Sequence, residues 1–155
     1  MATLLTQNDI RNSLTDIGLA TLDLFFPDVY YVCPDWDWVQ EIFFPNWRFV
    51  MDTLGVATWQ PEANDCDDFA ALCKSYLRIL HVRTKSRPPG AAIAVADLNY
   101  WLQQETSTTP GVLHAINLVI CNLGKGPEVK FFEPQIPKAL TLSPTQIQDI
   151  TYVAF

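Results

Sequence analysis

The chain has 155 residues, of which 49% are hydrophobic, and a formal net charge of −7 at pH 7. This length suits one domain with a sizeable core, and the apolar content excludes a disordered chain. The acidic balance argues against nucleic acid as a partner, because nucleic-acid binding depends on a basic surface. We therefore expect a folded, acidic, globular protein.

Targeting segments and disulfides are not expected either. Residues 1–9 lack the basic region and apolar run of a signal peptide, and no stretch approaches the roughly 18 apolar residues of a membrane span. The four cysteines form no CxxC pair, and Cys66 and Cys73 would lie about 10 Å apart on one helix, too far to bridge. We expect reduced thiols, a cytoplasmic location and no membrane partner; a non-classical or phage-linked secretion route stays open.

The first third of the chain is predicted to be mainly helical. Apolar spacing predicts a helix over 8–25, and a short strand follows over 29–33. Residues 35–54 are rich in aromatic side chains and are predicted to form two short helices divided at Pro45, the second ending at Gly55. Most of these aromatics are expected in the core, with the alternative that one or two wall a binding groove.

The helix predicted over 66–80 begins at a cysteine. Asp65 is its candidate N-cap, and apolar residues recur at helical spacing through Cys66, Phe69, Ala70, Cys73 and Leu77. A thiol at the positive end of a helix dipole loses its proton more readily, and the thiolate is the nucleophile. Cys66 is therefore a candidate nucleophile, with an ordinary buried core cysteine as the alternative.

The second half of the chain changes to the periodicity of strands. The predicted strands cover residues 91–96, 112–122, 128–133 and 147–155, the last of them at a sheet edge. Residues 99–104 either extend the first strand or form a short helix. The middle pair flanks a glycine turn and predicts an antiparallel hairpin. Helices followed by an antiparallel sheet give an α+β class. We expect a single domain over 1–155, with a helical, aromatic-rich part (1–55) and a catalytic core (56–155).

Three side chains combine into a candidate catalytic arrangement. His114 begins one strand of the hairpin and Glu133 ends the next, so pairing around the turn brings them close. A histidine beside a carboxylate is an oriented, more basic imidazole. Opposite Cys66 it would complete a set of nucleophile, base and orienting group. The alternative is a satisfied core histidine and a surface carboxylate.

Acidic residues beside the cysteine point to a cation. The charges of Asp65, Asp67 and Asp68 oppose thiolate formation, and a bound ion could neutralise them. Oxygen ligands at this density suit Ca²⁺, with Glu133 or Gln135 completing the set. The alternative is that acids are common in a first helical turn because the dipole favours them.

Four short blocks of sequence carry a resemblance to a known family. They are Trp59, the segment Asn64 to Ala70, the segment His114 to Asn117, and the segment Phe132 to Gln135. In this order they resemble the calcium-dependent, papain-like protease domain of fungal chimerolectins (Marasmius-type agglutinins) and similar short bacterial and phage proteins. More broadly, they resemble the papain-like and transglutaminase-like cysteine peptidases. Residues 1–55 match no motif of that superfamily.

The resemblance implies a papain-like fold in which N-terminal helices, including the cysteine helix, pack on an antiparallel sheet. It implies a calcium-dependent cysteine peptidase or amidohydrolase that acts on a peptide or protein substrate, with Cys66 as nucleophile, His114 as base and Glu133 as orienting residue. The other implied site residues are the groove and oxyanion residues Trp59, Gln60 and Gln135, and the metal ligands Asp67, Asp68, Glu133 and Gln135. The chimerolectins also carry a separate sugar-binding domain, for which this chain is too short.

Two alternatives to a peptidase stay open at this point. One is a non-catalytic structural or interaction module, of phage origin or not, that keeps the fold and a Ca²⁺ site. The other is a transglutaminase-like enzyme in which an amine replaces water and accepts the acyl group. The oligomeric state is not indicated by the sequence, and a dimer is one option.

Overall fold

The computed structural model describes residues 3–19, 24–56, 65–85, 90–102 and 112–155, and every structural statement below concerns these residues. The strands are β1 (Leu4–Thr6), β2 (Leu24–Phe25), β3 (Tyr30–Val32), β4 (Ala92–Ile93), β5 (Val95–Leu102), β6 (Val112–Asn122), β7 (Pro127–Glu133), β8 (Lys138–Leu140) and β9 (Ile150–Ala154). The helices are α1 (Gln7–Asp16), α2 (Trp36–Trp38), α3 (Phe44–Leu54), α4 (Cys66–Thr84) and α5 (Pro144–Gln148). A π-helical segment (Val39–Phe43) connects α2 to α3.

The strands form two sheets of mixed direction. The smaller sheet has the order β1-β3-β4, with β3 and β4 parallel, and the larger has the order β2-β9-β5-β6-β7-β8, with β2 and β9 parallel. Strands therefore precede and separate the helices, and the described chain is rich in strands. The predicted fold class, a papain-like α+β arrangement with helices first and one antiparallel sheet after them, is wrong.

Helix α1 is shorter than the helix predicted over 8–25. Thr6 caps its N-terminus in a capping box with Asp9. Gly18, at φ +97°, turns the backbone out of the helical path soon after its end. The residues that would have continued the helix include β2, which pairs with β9. Apolar spacing alone did not reveal this change of direction.

The aromatic-rich region forms one continuous helical path rather than two helices divided at Pro45. Pro45 lies in the first turn of α3, where the π-helical segment passes into the α-helix, and the helical path continues through it. Gly55 ends α3 in the left-handed conformation, as predicted. The indole Nε1 of Trp47 donates to the Pro134 carbonyl oxygen at 2.7 Å, which fixes α3 beside the end of β7.

The predicted hairpin of β6 and β7 is confirmed, and the two faces of β6 serve two core clusters. Ile116 and Leu118 pack in the cluster that includes α1. Val119 and Cys121, on the opposite face, pack in the cluster that includes α3 and α4. Strand β9 lies between β2 and β5, so the prediction of an edge strand over 147–155 is wrong.

The part of the chain that the structure describes contains neither a membrane-spanning helix nor a disulfide. Within the described ranges, none of the helices combines the length and apolar character that crossing a membrane requires. Cys33, Cys66, Cys73 and Cys121 are all free thiols, and only Cys66 is partly exposed.

Candidate functional site

A buried amide from β6 fixes the cysteine helix to the sheet. Asn117 is fully buried, and its Nδ2 donates to the carbonyl oxygen of Ala70 on α4 at 2.9 Å and of Ala96 on β5 at 3.2 Å. Lys74 of α4 also forms an ion pair with Asp97 of β5. These contacts hold the N-terminal half of α4 over β5 and β6.

Cys66 occupies the first turn of α4, as predicted. Asp65 is the N-cap residue, without a capping hydrogen bond of full geometry. The carboxylates of Asp65 and Asp67 share a hydrogen bond, which lowers the pKa of Asp65 and raises the pKa of Asp67, and the backbone N–H groups of Asp68 and Asp67 lower the pKa of Asp65 further. Cys66 therefore stands between two acidic groups that interact with each other.

The pKa of the Cys66 thiol is raised. Burial is the largest cause, the charges of Asp67 and Asp65 act in the same direction, and a hydrogen bond with the backbone of Ala115 opposes them. The expectation that the helix N-terminus makes this thiol ionise readily is therefore wrong, because burial and the neighbouring acids outweigh the dipole. Cys66 is a neutral thiol near pH 7.

His114 and Glu133 form the predicted pair. His114 Nε2 lies 2.8 Å from Glu133 Oε2, and Glu133 Oε1 accepts from the backbone N–H of Gln135 at 3.0 Å. The ring of Tyr100 contacts the imidazole edge-on, with centroids 5.9 Å apart. The imidazole is therefore oriented from two sides. Its Nδ1 has no hydrogen-bond partner in the part of the chain that the structure describes.

The structure brings Cys66 to the strand that carries His114, and the contact is with the backbone. The Cys66 thiol is hydrogen-bonded to the backbone of Ala115, the residue after His114. Cys66 and Ala115 line a groove of about 240 Å³, and His114 is not part of its wall. Alternation along β6 places His114 on the Ile116 face, whereas α4 packs against the Asn117 face. Among the described residues, no hydrogen bond joins the Cys66 thiol to the His114 ring.

Of the three predicted groove and oxyanion residues, the structure describes Gln135. Trp59 and Gln60 lie outside the described residues. Gln135 lies just after β7, and its recorded role is the backbone hydrogen bond to Glu133. Its place beside the histidine and acid pair agrees with the prediction, while its role at an oxyanion site stays a prediction.

The predicted metal ligands do not gather around one ion. Asp67 and Asp68 line a cavity of about 250 Å³ together with Asp97, and Glu133 is not part of its wall. Both carboxylate oxygens of Glu133 are already hydrogen-bonded. In the described ranges no three His, Cys, Asp or Glu side chains could hold a metal ion together. The residues present therefore do not fit an ion that bridges α4 and β7, and calcium binding stays a prediction.

Two polar residues of the site were missed by the sequence analysis. Asn117 interrupts the apolar run of β6, and a polar residue in a buried strand signals a required hydrogen bond. Asn99 pairs with Ala115 across β5 and β6, and it lines the cavities on both sides of the first turn of α4. The sequence left open whether residues 99–104 extend the strand over 91–96 or form a helix, so the face that Asn99 occupies was not fixed; β5 runs to Leu102.

Comparisons with known proteins show the fold. No protein-family model and no curated protein matches the chain. A structure described as a PSL1a–E64 complex matches with a TM-score of 0.63 and 18% identity, covering 98% of this chain and 50% of that chain. Polyporus squamosus lectin bound to the human-type influenza-binding epitope Neu5Acα2-6Galβ1-4GlcNAc matches with a TM-score of 0.66 and 19% identity, covering 98% and 49%. The chain spans about half the length of these structures, and the similarity shows the fold alone.

These comparisons correct the family assignment. A lectin name and a bound glycan accompany this fold, and no family model supports the papain-like or transglutaminase-like superfamily or the chimerolectin protease domain. The predicted membership of that superfamily is therefore wrong. The predicted function, a calcium-dependent cysteine peptidase or amidohydrolase, and the predicted class of thiol protease are wrong with it. The predicted peptide or protein substrate is wrong as well, because the matching lectin structure holds a carbohydrate.

Alkylation of Cys66 by iodoacetamide should be slow near neutral pH and should accelerate as the pH rises beyond 9.0, because burial and acidic neighbours raise the thiol pKa. Asp67→Asn removes a negative charge beside the sulfur and lowers this pKa, so alkylation at about pH 8 should become about two- to fivefold faster. Peptide mass spectrometry over time measures both rates. Asp68→Asn is the matched control, and equal rates for Asp67→Asn and the unaltered protein would contradict the prediction.

Proposed function

We propose that the chain is a ligand-binding module whose binding site is the groove at the N-terminus of α4, where the Cys66 thiol can bond covalently to an electrophilic ligand. The observation that carries this proposal is the partly exposed Cys66 thiol at the end of β6, next to the residue whose imidazole Glu133 orients from the other face of the strand. Cys66 contacts the backbone of Ala115, and the preceding residue, His114, is held by Glu133 at 2.8 Å. The thiol adds to the ligand and stays bonded to it.

The chemistry of the groove suits addition of the thiol to a strained ring such as an epoxide. A sulfur–carbon bond forms, a carbon–oxygen bond of the ring breaks, and the thiol proton ends on the released oxygen. Because the pKa of Cys66 is raised, the thiol needs a base. We infer that His114, whose Nδ1 has no hydrogen-bond partner among the described residues, takes the proton across the end of β6. The matching structure named as a PSL1a complex with E64, a compound that carries an epoxide, supports this choice of ligand class.

Labelling of the full chain with E64 tests the proposal. We expect a single adduct in the intact mass, mapped to Cys66 and missing in Cys66→Ser. Exposure alone already favours Cys66 over the three buried cysteines, so selectivity is not decisive. The decisive variants are His114→Gln and Glu133→Gln, which should slow labelling at least about tenfold if the imidazole takes the proton.

The matched control for Glu133→Gln is Glu128→Gln, because Glu128 lies on the same strand and pairs with Lys130. This control should label at the rate of the unaltered protein, and circular dichroism should show that all variants remain folded. An unmodified wild-type chain contradicts the proposal. Equal labelling rates in His114→Gln and wild type would show that the imidazole does not act as the base.

Carbohydrate binding is a second candidate function, favoured by the glycan in the matching lectin structure and by a separate cavity of about 580 Å³. The residues of its wall that could contact a sugar are Asp35, Trp36, Asp37, Trp38, Glu41 and Asn122. Indole rings can lie against the apolar faces of sugar rings, and carboxylates accept hydrogen bonds from hydroxyl groups. Three carboxylates accompany one lysine, Lys85, so the charge favours a neutral sugar over an anionic one.

Calorimetric titration with two glycans tests this second candidate. The neutral disaccharide Galβ1-4GlcNAc should bind more tightly than the sialylated trisaccharide, because the acidic wall repels the sialic acid carboxylate. Trp36→Ala should abolish binding, whereas Phe49→Ala, a change at an exposed aromatic of α3, should leave it unchanged. Binding of neither glycan, or equal binding by Trp36→Ala, would exclude the cavity as a sugar site.

Calcium is kept as a proposal for Asp67 and Asp68, the two predicted ligands that line one cavity with Asp97. Two acidic residues in the first turn of α4 support it, and the ion pair of Asp97 with Lys74 opposes it. We expect Ca²⁺ at about 1 mM, the range of weak sites, to raise the unfolding temperature. The double change Asp67→Asn and Asp68→Asn should remove this rise, and an unaltered unfolding temperature in the wild type would contradict calcium binding.

A cytoplasmic location is likewise kept as a proposal. It is supported by the four free thiols, since reducing compartments preserve them. None of the described helices is long and apolar enough to span a membrane.

A further inference from the structure

Arg78, on the C-terminal half of α4, carries buried nitrogen atoms that lack partners. Its Nε and Nη2 are buried and make no hydrogen bond to the described residues. None of the ion pairs among those residues involves Arg78. Burying part of a cation without a counter-charge costs free energy. The position therefore favours an anion that is not supplied by the described chain.

The guanidinium lies in the wall of a groove of about 480 Å³ between α4 and β4. The apolar part of this wall includes Ile79 and Val82, which are 56% and 44% exposed, and the buried Ile93. Arg83 also lines the groove. An exposed apolar wall next to a partly buried cation suits a ligand with an anionic end and an apolar body.

The balance of charge in the groove is positive, in a chain whose net charge is −7. Arg78 and Arg83 face one acidic residue, Asp28. The backbone of Asp28 is fixed on both sides, because its N–H donates to Tyr31 Oη at 3.1 Å and its carbonyl oxygen accepts from Gln7 Nε2 at 2.8 Å. Burial raises the pKa of Tyr31 and the charge of Arg78 acts against this, which places the guanidinium near that buried phenol.

We propose that this groove binds a small organic carboxylate, with the carboxylate on Nε and Nη2 of Arg78 and a short apolar chain along Ile79, Val82 and Ile93. The Nε and Nη2 edge of a guanidinium presents two parallel N–H groups, and this geometry matches the two oxygens of a carboxylate. Arg78 follows Cys66 by 12 positions on the same helix, a separation of about 18 Å, so this site is independent of the proposed thiol site.

Titration of the ¹⁵N-labelled protein with four probes tests the proposal. Hexanoate should bind most tightly, acetate more weakly because it lacks the apolar chain, and 1-hexanol and inorganic phosphate least. Arg78→Gln should weaken hexanoate at least about tenfold, because it removes charge-assisted hydrogen bonds. Arg78→Lys keeps the charge but not the two parallel N–H groups, so its affinity for hexanoate should lie between those of the wild type and Arg78→Gln. Arg48→Gln is the matched control, and it should leave the affinity unchanged because Arg48 is exposed on α3 and lies outside the groove.

Three results would overturn the proposal. The first is equal hexanoate affinity in Arg78→Gln and wild type. The second is phosphate binding as tight as hexanoate binding, which would make the groove an unspecific anion site. The third is no hexanoate binding by the wild type together with a lower unfolding temperature for Asp28→Asn, which would identify Asp28 as the counter-charge of Arg78. If Arg78→Gln does not fold, Asp28→Asn is the deciding variant. Removal of the competing carboxylate should raise the affinity for hexanoate, and a lower or unchanged affinity would contradict the proposal.

Discussion

The side-chain amide of Asn117 is the contact on which the placement of the candidate site depends. It lies between α4 and the sheet and bonds to the backbone of both, at Ala70 and at Ala96. A buried amide that donates to both elements fixes the distance and the rotation of α4 relative to the sheet, because losing either hydrogen bond leaves a buried polar group unpaired. Cys66, one turn before Ala70, therefore meets β6 next to His114.

Burial and the neighbouring acidic residues decide the chemical state of Cys66. The helix dipole favours the thiolate, but it acts only through the partial charges at the helix end. Burial is the largest cause of the raised pKa, and the negative charge of the Asp65 and Asp67 pair acts in the same direction, so the thiol keeps its proton near neutral pH. A site of this kind reacts only when a base accepts the proton, which gives the His114 and Glu133 pair its role in the proposed addition.

Helix α4 connects two regions of opposite electrostatic character. Its first turn carries acidic residues around Cys66, and its later turns carry Arg78 and Arg83 above an apolar groove. The buried middle of the helix, at Phe69 and Leu77, packs into the core and keeps both ends in fixed positions. One rigid helix can therefore present two ligand sites that do not overlap.

The sequence by itself determined the features that depend on neighbours along the chain. The β6–β7 hairpin and the contact of His114 with Glu133 follow from strand periodicity and one turn, and the end of α3 follows from Gly55. The family assignment from four short blocks did not hold, because blocks of a few residues specify local geometry and little else. Only the tertiary structure decided the parallel pairing of β2 with β9, the raised pKa of Cys66 and the burial of two Arg78 nitrogens without a partner among the described residues. These depend on which distant residues remove a group from water, and no local pattern of residues encodes that.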